Sequence, residues 1–494
     1  MKTQQEWQEL KQTLEIQTQA FINGEYCSAM EKQQFEVVNP ATGEVLGCVA
    51  RCLQEDVDSA VSHARRVFDD GSWSDASPTQ RKSVLLRFAD LIDSHRDELA
   101  LLETLDTGKP ISHSYSTDIP GSANAIRWYA EAIDKTYGEV APTEKEVHAF
   151  ISHQPIGVVA AIVPWNFPLW LACWKLGPAL AAGCSVVLKP SEKSSLTAIF
   201  LGKLANEAGI PKGVFQVVTG FGHEAGEALA RHQDVNCITF TGSTKVAGQL
   251  MVSSGESNLK RVWAEAGGKN ANIIFDDYED LDKAANEAAA GCFYNQGEVC
   301  VAATRLLIHN SIKDEFVDKL LSATERFQPK DPLDPQSAMG ALIDVEHKRK
   351  VLNYIRLGIK EGASLIGGEE PIKTGAFLSP AILDNVTNSM CVAQEEIFGP
   401  VLSVITFETE EEAIQIANDS KYGLGAAIWT DNINRAHRVA KKLAAGTVWV
   451  NNYNEGDMSV PFGGFKMSGN GRDKSLHALE KFTETKTTWI RLNP

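Results

Sequence analysis

The chain has 494 residues, 43% of them apolar and 22% charged, with 64 acidic against 47 basic residues and a formal charge of −17. That length exceeds what one hydrophobic core normally supports and implies about three domains of an ordinary soluble protein. The acidity argues against nucleic acid or an anionic membrane as the main partner.

Residues 1 to about 20 read as a polar helical extension without the apolar core of a secretory signal. Phe21-Ile-Asn-Gly-Glu-Tyr then starts a strand and turn, and amphipathic helical patterns cover 56–69 and 79–105. Segment 136–155 alternates as a protruding hairpin would. From Ile156 to Trp174 no residue is charged, nearly the length of a membrane span. Pro164, Asn166 and Pro168 interrupt it, so Val158–Val163 is better read as a buried strand than as part of a span.

Beyond this point strands and helices alternate. Short apolar strands are expected at Ser185–Leu188, Val214–Val218 and Cys237–Phe240, with helices at Leu196–Ala208, Glu224–His232 and Thr244–Ser254. A second unit follows Gly267, with strands at Asn272–Phe275, Thr304–His309, Leu402–Phe407 and Thr447–Asn451 and helices at Ile312–Phe327 and Glu410–Asn418. Strands joined by helical crossovers make a doubly wound α/β fold whose ligands bind at the carboxyl ends of the strands.

Cys300 ends the segment Phe293-Tyr-Asn-Gln-Gly-Glu-Val-Cys300, after an alanine-rich helical run. A thiol on a glycine-containing turn can serve as a nucleophile. Glu265, in Trp263-Ala-Glu-Ala-Gly-Gly-Lys269, follows apolar residues and precedes two glycines, which suits a mobile general base at a strand end. Asn166 lies in Val163-Pro-Trp-Asn-Phe-Pro168, where its amide is either an oxyanion donor or part of an Asx turn. The other eight cysteines are scattered, and the Cys48/Cys52 pair lacks a histidine to complete a zinc site, so free thiols in a reducing cytosol are expected.

For a dinucleotide, the stronger signal is Phe240-Thr241-Gly242-Ser243-Thr244, where a strand ends and a helix opens with small residues facing a pyrophosphate. Thr219-Gly-Phe-Gly222-His-Glu-Ala-Gly226 is weaker, because its glycine spacing departs by one residue from G-x-G-x-x-G. Lys189-Pro-Ser-Glu192 follows another strand end. Phe167, Trp170 and Trp174 sit at helical intervals, as channel lining or plain core.

Cys300 and Glu265, in this context and order, resemble the active site of the NAD(P)-dependent aldehyde dehydrogenase superfamily, and the resemblance runs from about residue 20 to the end. It implies a doubly wound, Rossmann-like cofactor domain (1–135 and 156–266), an α/β catalytic domain (267–470) and a small β oligomerisation extension (136–155 and 471–494) in a cytoplasmic homodimer or homotetramer. It implies Cys300 as nucleophile, Glu265 as base and Asn166 as oxyanion donor, with no metal. By position it places Pro164, Trp165, Lys189, Glu192, Gly222, Gly226, Phe240, Thr241, Gly242, Ser243, Glu396 and Phe398 at the cofactor, Glu396 on the nicotinamide ribose. Lys350 lies in a helix whose counterpart also touches that ribose. Glu192 disfavours a 2′-phosphate, so NAD is favoured, while Lys189 leaves NADP possible. Three departures stand out: Ala266 replaces a usual Leu, Ala247 precedes Gly248 where the family has its glycine, and Glu455-Gly456-Asp457 replaces an aromatic or apolar loop.

Thr104–Pro110, Ile126–Asp134 and Asn451–Met458 are most similar to the γ-glutamyl-γ-aminobutyraldehyde and guanidinobutyraldehyde dehydrogenases. Glu455 and Asp457 would attract an amino- or guanidino-terminated aldehyde, or be a solvated surface loop. Betaine aldehyde or a broad aldehyde range is the alternative. A CoA-acylating relative is disfavoured by Glu265, and a non-enzymatic scaffold by the three residues together.

Overall fold

The computed structural model describes residues 1–367 and 375–492. Residues 368–374, within the expected catalytic segment, and 493–494, within the expected C-terminal segment, lie outside the described residues.

Two seven-stranded sheets form the body. The first has the spatial order 261–265, 237–241, 158–162, 185–189, 215–217, 20–22, 25–27; all its strands are parallel except the N-terminal hairpin. The chain winds outward from 158–162 to 185–189 and 215–217, then returns to 237–241 on the other side of 158–162. That reversal puts the switch-point crevice between the carboxyl ends of 158–162 and 237–241, just ahead of Asn166 and Gly242. The second sheet runs 364–367, 381–384, 401–407, 305–309, 271–274, 425–429, 447–450, with only 364–367 antiparallel to its neighbour.

Every residue of the strands Val158–Ile162, Ser185–Lys189 and Cys237–Thr241 is buried, which is why they read as continuous apolar runs rather than alternating ones. The helix Pro168–Ala182 is apolar nearly all round, and Pro168 supplies its pre-set first turn. Ser243 caps Thr244–Gly255 by accepting the Val246 N–H, a contact worth about 1 kcal/mol.

Two expected elements differ. The pattern over 79–105 divides into Pro78–Ser94 and Arg96–Thr107, because His95 leaves the helical region at φ −98° and ψ 25°. Neither glycine nor proline marks that break in the sequence. The helix expected from Glu224 instead begins with a wide turn over Gly222–Gly226, closed by the Gly226 N–H donating to the Phe221 carbonyl, and continues as Glu227–Arg231. The Arg51 ion pair with Glu224 holds that turn.

A three-stranded sheet joins Thr483–Arg491 to Val147–Pro155 and Glu139–Ala141. Residues 473–482 do not belong to it: Ala478 and Phe482 are in the core with the Pro168–Ala182 helix, and Asp473 and Lys474 reach a cavity described below. Tyr137, Val140 and Trp489 of the extension are exposed. Among the described residues no helix is long and apolar enough to cross a membrane.

Candidate active site

Cys300 follows the helix Leu281–Phe293 through a turn in which Asn295, Gln296 and Gly297 all have positive φ. Two of these are not glycine, so the turn is strained and needs outside support. Support comes from side chains gripping the backbone. Asn270 donates to the carbonyls of Cys300 (2.9 Å) and Ala302 (3.0 Å), the Tyr453 hydroxyl to that of Val301 (2.6 Å), and the Glu298 carboxylate accepts from Ile343 (2.9 Å). At Gly268 an added Cβ would stand 2.5 Å from the Cys300 carbonyl, so the loop after Glu265 lies directly on the nucleophile turn and tolerates no side chain there.

Cys300 and Glu265 open into one cavity of about 570 Å³. Phe167, Trp170, Trp174, Tyr294 and Phe462 form its aromatic wall, and the solvent-exposed Glu455 and Gly456 also line it. The helical spacing of Phe167, Trp170 and Trp174 thus serves the cavity, with successive rings edge to face at 5.9 and 5.7 Å. Asp457 does not line it; its carboxylate turns to the Ser459 N–H at 2.8 Å. Two carboxylates at the mouth are therefore reduced to one.

Burial pushes the Cys300 thiol up to about 12, helped by the charges of Glu396 and Glu265. Burial likewise holds the Glu265 carboxyl well above the usual range, with Asp473 adding to the rise. Neither Glu265 oxygen has a partner among the described residues. Burial therefore disfavours the ionised form of both the nucleophile and the base. Behind them Asp473 binds Lys175 (3.0 Å) and Lys481, and these two cations outweigh its burial and lower it.

Asn166 is buried, and one amide N–H donates to the Glu298 carbonyl at 2.8 Å. That bond fixes the side chain as more than a local Asx turn and aims its amide toward the Cys300 segment.

A second cavity, of about 820 Å³, lies beside the capped helix and is lined by Glu192, Gly222, Gly226, Lys245 and Gly248. Lys189 is buried, with Nζ 2.9 Å from the Pro190 carbonyl and 3.7 Å from Glu192. A side chain started at Gly222 or Gly248 would meet nothing within 4 Å, so both face open space a dinucleotide can fill. Thr241 instead lines the catalytic cavity, paired across the sheet with Glu265, and its hydroxyl is buried without a partner among the described residues. Phe240 is buried beneath Gly242. Glu396 accepts the Gly268 N–H at 3.1 Å, and burial raises its carboxyl to about 7. Phe398 packs edge-on against half-buried Trp165 at 5.2 Å, and Pro164 precedes it at the strand end. Lys350 is exposed and paired with Glu346; the residue of its helix that meets this group is His347, bonded to the Phe398 carbonyl and packed on Trp165.

The aldehyde dehydrogenase family profile matches residues 26–488. The chain belongs to the aldehyde dehydrogenase family. It is 59% identical over 486 residues to the NADP/NAD-dependent aldehyde dehydrogenase PuuC of Escherichia coli, covering 98% of each chain. It is similar to the solved γ-glutamyl-γ-aminobutyraldehyde dehydrogenase of Burkholderia cenocepacia, at 53% identity, full coverage of both chains and a TM-score of 0.98. It is also similar to the P. syringae AldA indole-3-acetaldehyde dehydrogenase solved with NAD+, at 55% identity, full coverage of both and a TM-score of 0.99.

As a family member the chain shows what its sequence hides. Asn270, Tyr453, His347, Lys474 and the Lys175–Asp473–Lys481 cluster all reach the site, yet none stands in a pattern that separates it from ordinary surface or core. Asn270 directly follows Gly267-Gly-Lys269, and that adjacency is the one local hint.

Proposed function

We propose that this aldehyde dehydrogenase acts through Cys300 on aldehydes whose far end carries a nitrogen-containing polar group, using NAD or NADP. Cys300, once ionised, adds through sulfur to the aldehyde carbon, and the carbonyl electrons move onto oxygen. The Asn166 amide and the Cys300 backbone N–H donate to that oxygen. NAD(P), when bound, supplies the hydride acceptor. Glu265 then takes a proton from water, whose oxygen attacks the acyl carbon on Cys300, releasing the carboxylic acid and the thiolate. Lys189, Glu192, Gly222, Gly226 and the Ser243-capped helix would hold the dinucleotide, with Phe240 and Gly242 shaping that strand end. Thr241, Glu396, Phe398, Trp165 and Pro164 would flank its reactive end.

The observation that carries this reading is the shared cavity, whose wall holds the thiol, the Glu265 carboxyl, the aromatic rings and the exposed Glu455. The name of the Burkholderia relative points the same way. The aromatic wall also suits a second reading, a broad range including uncharged aldehydes, as the indole substrate in the AldA name suggests.

Steady-state NADH formation with 4-aminobutyraldehyde, 4-guanidinobutyraldehyde, γ-glutamyl-γ-aminobutyraldehyde and propanal separates the two. The nitrogenous aldehydes should exceed propanal about tenfold in kcat/KM, a difference of about 1.4 kcal/mol. The Glu455→Gln variant should lose most of that margin; equal rates for all four favour the broad reading. The exposed apolar residues of the β extension support assembly as a dimer or tetramer, which light scattering would size. The acidic, cysteine-unpaired chain suits the cytoplasm.

A further inference from the structure

Lys474 lines the catalytic cavity beside the acidic loop, yet it is only 9% exposed. Its ammonium stands 5.5 Å over the Trp174 ring and 3.2 Å from where a side chain on Gly456 would begin. Both neighbours belong to the cavity wall. Its backbone holds φ at 62° and that of Ser475 at 51°, an uncommon conformation for either residue and one the surrounding structure must enforce.

Lys474 has no carboxylate within ion-pair distance among the described residues. Asp473, next in sequence, is fully engaged by Lys175 and Lys481. Asp457 acts on Lys474 only through space, its own carboxylate being bonded to Ser459. Burial lowers the Lys474 pKa, and Asp457 only partly offsets this. A cation held over one aromatic ring without a counter-ion is an uncompleted site, because removing a charge from water costs more than the ring contact returns.

We infer that Lys474 is a specificity residue that receives a carboxylate at the far end of the substrate, so that Lys474 and Glu455 together accept an amino-acid-like terminus carrying both charges. The preferred aldehyde is then an N-acylated aminoaldehyde ending in a carboxylate, rather than a simple amine. In an apolar channel that pairing is stronger than it would be in water. The inference rests on the proposed reading that the substrate spans from Cys300 to the acidic loop.

The test compares kcat/KM for four aldehydes in the full-length enzyme: γ-glutamyl-4-aminobutyraldehyde, its glutaryl analogue without the amine, its uncharged pentanoyl analogue, and propanal. In the wild type the glutamyl and glutaryl compounds should exceed the pentanoyl compound at least tenfold. Lys474→Met should reduce kcat/KM for the two carboxylates at least tenfold more than for propanal, chiefly through KM, and Lys474→Arg should restore most of it. A glutaryl compound no better than the pentanoyl one in wild type overturns the assignment even if the Met variant does not fold. So does an equal loss on all four aldehydes. If the carboxylate preference depends on Lys474 but, in the series under Proposed function, 4-aminobutyraldehyde does not outrun propanal, the amine reading falls and the carboxylate assignment stands.

Discussion

The two ends of the catalytic cavity handle charge in opposite ways. At the inner end, Cys300 and Glu265 lie where burial disfavours their ionised forms, and Asp473 keeps its charge only because Lys175 and Lys481 touch it. At the outer end, Glu455 is exposed, and Asp457, beside it but outside the cavity, is lowered by its Ser459 bonds as a surface carboxylate would be. Reactivity needs groups whose charge is costly and therefore responsive; selection needs charges already present when a ligand arrives. A substitution at the inner end should change the chemistry for every aldehyde, and one at the outer end should change which aldehyde is chosen.

The largest break in that comparison comes at the nucleophile. Cys300→Ala should reduce NADH formation by more than about 10³-fold with every aldehyde, while nucleotide binding, followed by protein fluorescence, persists. In the wild-type enzyme without cofactor, iodoacetamide labelling of Cys300 should rise steadily with pH through the alkaline range, since the thiol is held near 12. Labelling already at its plateau near neutral pH would show an ionised resting thiol.

Glu265→Gln should lower steady-state turnover by about 10²–10³-fold, yet raise thermal stability at pH 8. A free carboxyl titrates near pH 4, and burial raises the folded one. Above pH 4 the unfolded chain therefore releases a proton that the folded chain keeps, so stability falls as pH rises toward the folded pKa. Glutamine removes that loss, and melting curves at pH 5 and pH 8 should diverge between the two proteins. Curves that stay parallel would mean the carboxyl is not strained in the folded state.

Asn166→Ala should cost about 10²-fold in kcat, as removal of one oxyanion donor does. The smallest effect belongs to the outer end: Asp457→Asn, which does not reach the cavity, should change kcat/KM for any of the four aldehydes by less than about twofold. A larger change would move Asp457 into the substrate path.

The same contrast explains what the sequence made legible. Three strands of the first sheet are buried on both faces and bounded by turn residues, so Val158–Ile162, Ser185–Lys189 and Cys237–Thr241 fall within a residue of expectation. Cys300, Glu265 and Asn166 could be marked because each sits in a distinctive run of proline, glycine or aromatic residues. What holds them could not. Asn270 reaches Cys300 across 30 positions, Tyr453 reaches Val301 across 152, and Lys175 reaches Asp473 across 298. No local pattern encodes such contacts. Lys474 was hidden for a related reason: its segment reads as the start of the C-terminal β extension, and only the fold turns it back into the cavity.

The central claim is that Cys300 carries the acyl group and Glu265 releases it. Glu265→Gln enzyme, mixed with NAD+ and propanal and quenched within one turnover, should show by intact-protein mass spectrometry one added propanoyl group per chain. Peptide mapping should place it on the segment containing Cys300. An unmodified chain, or an acyl group on any of the other eight cysteines, would contradict the account.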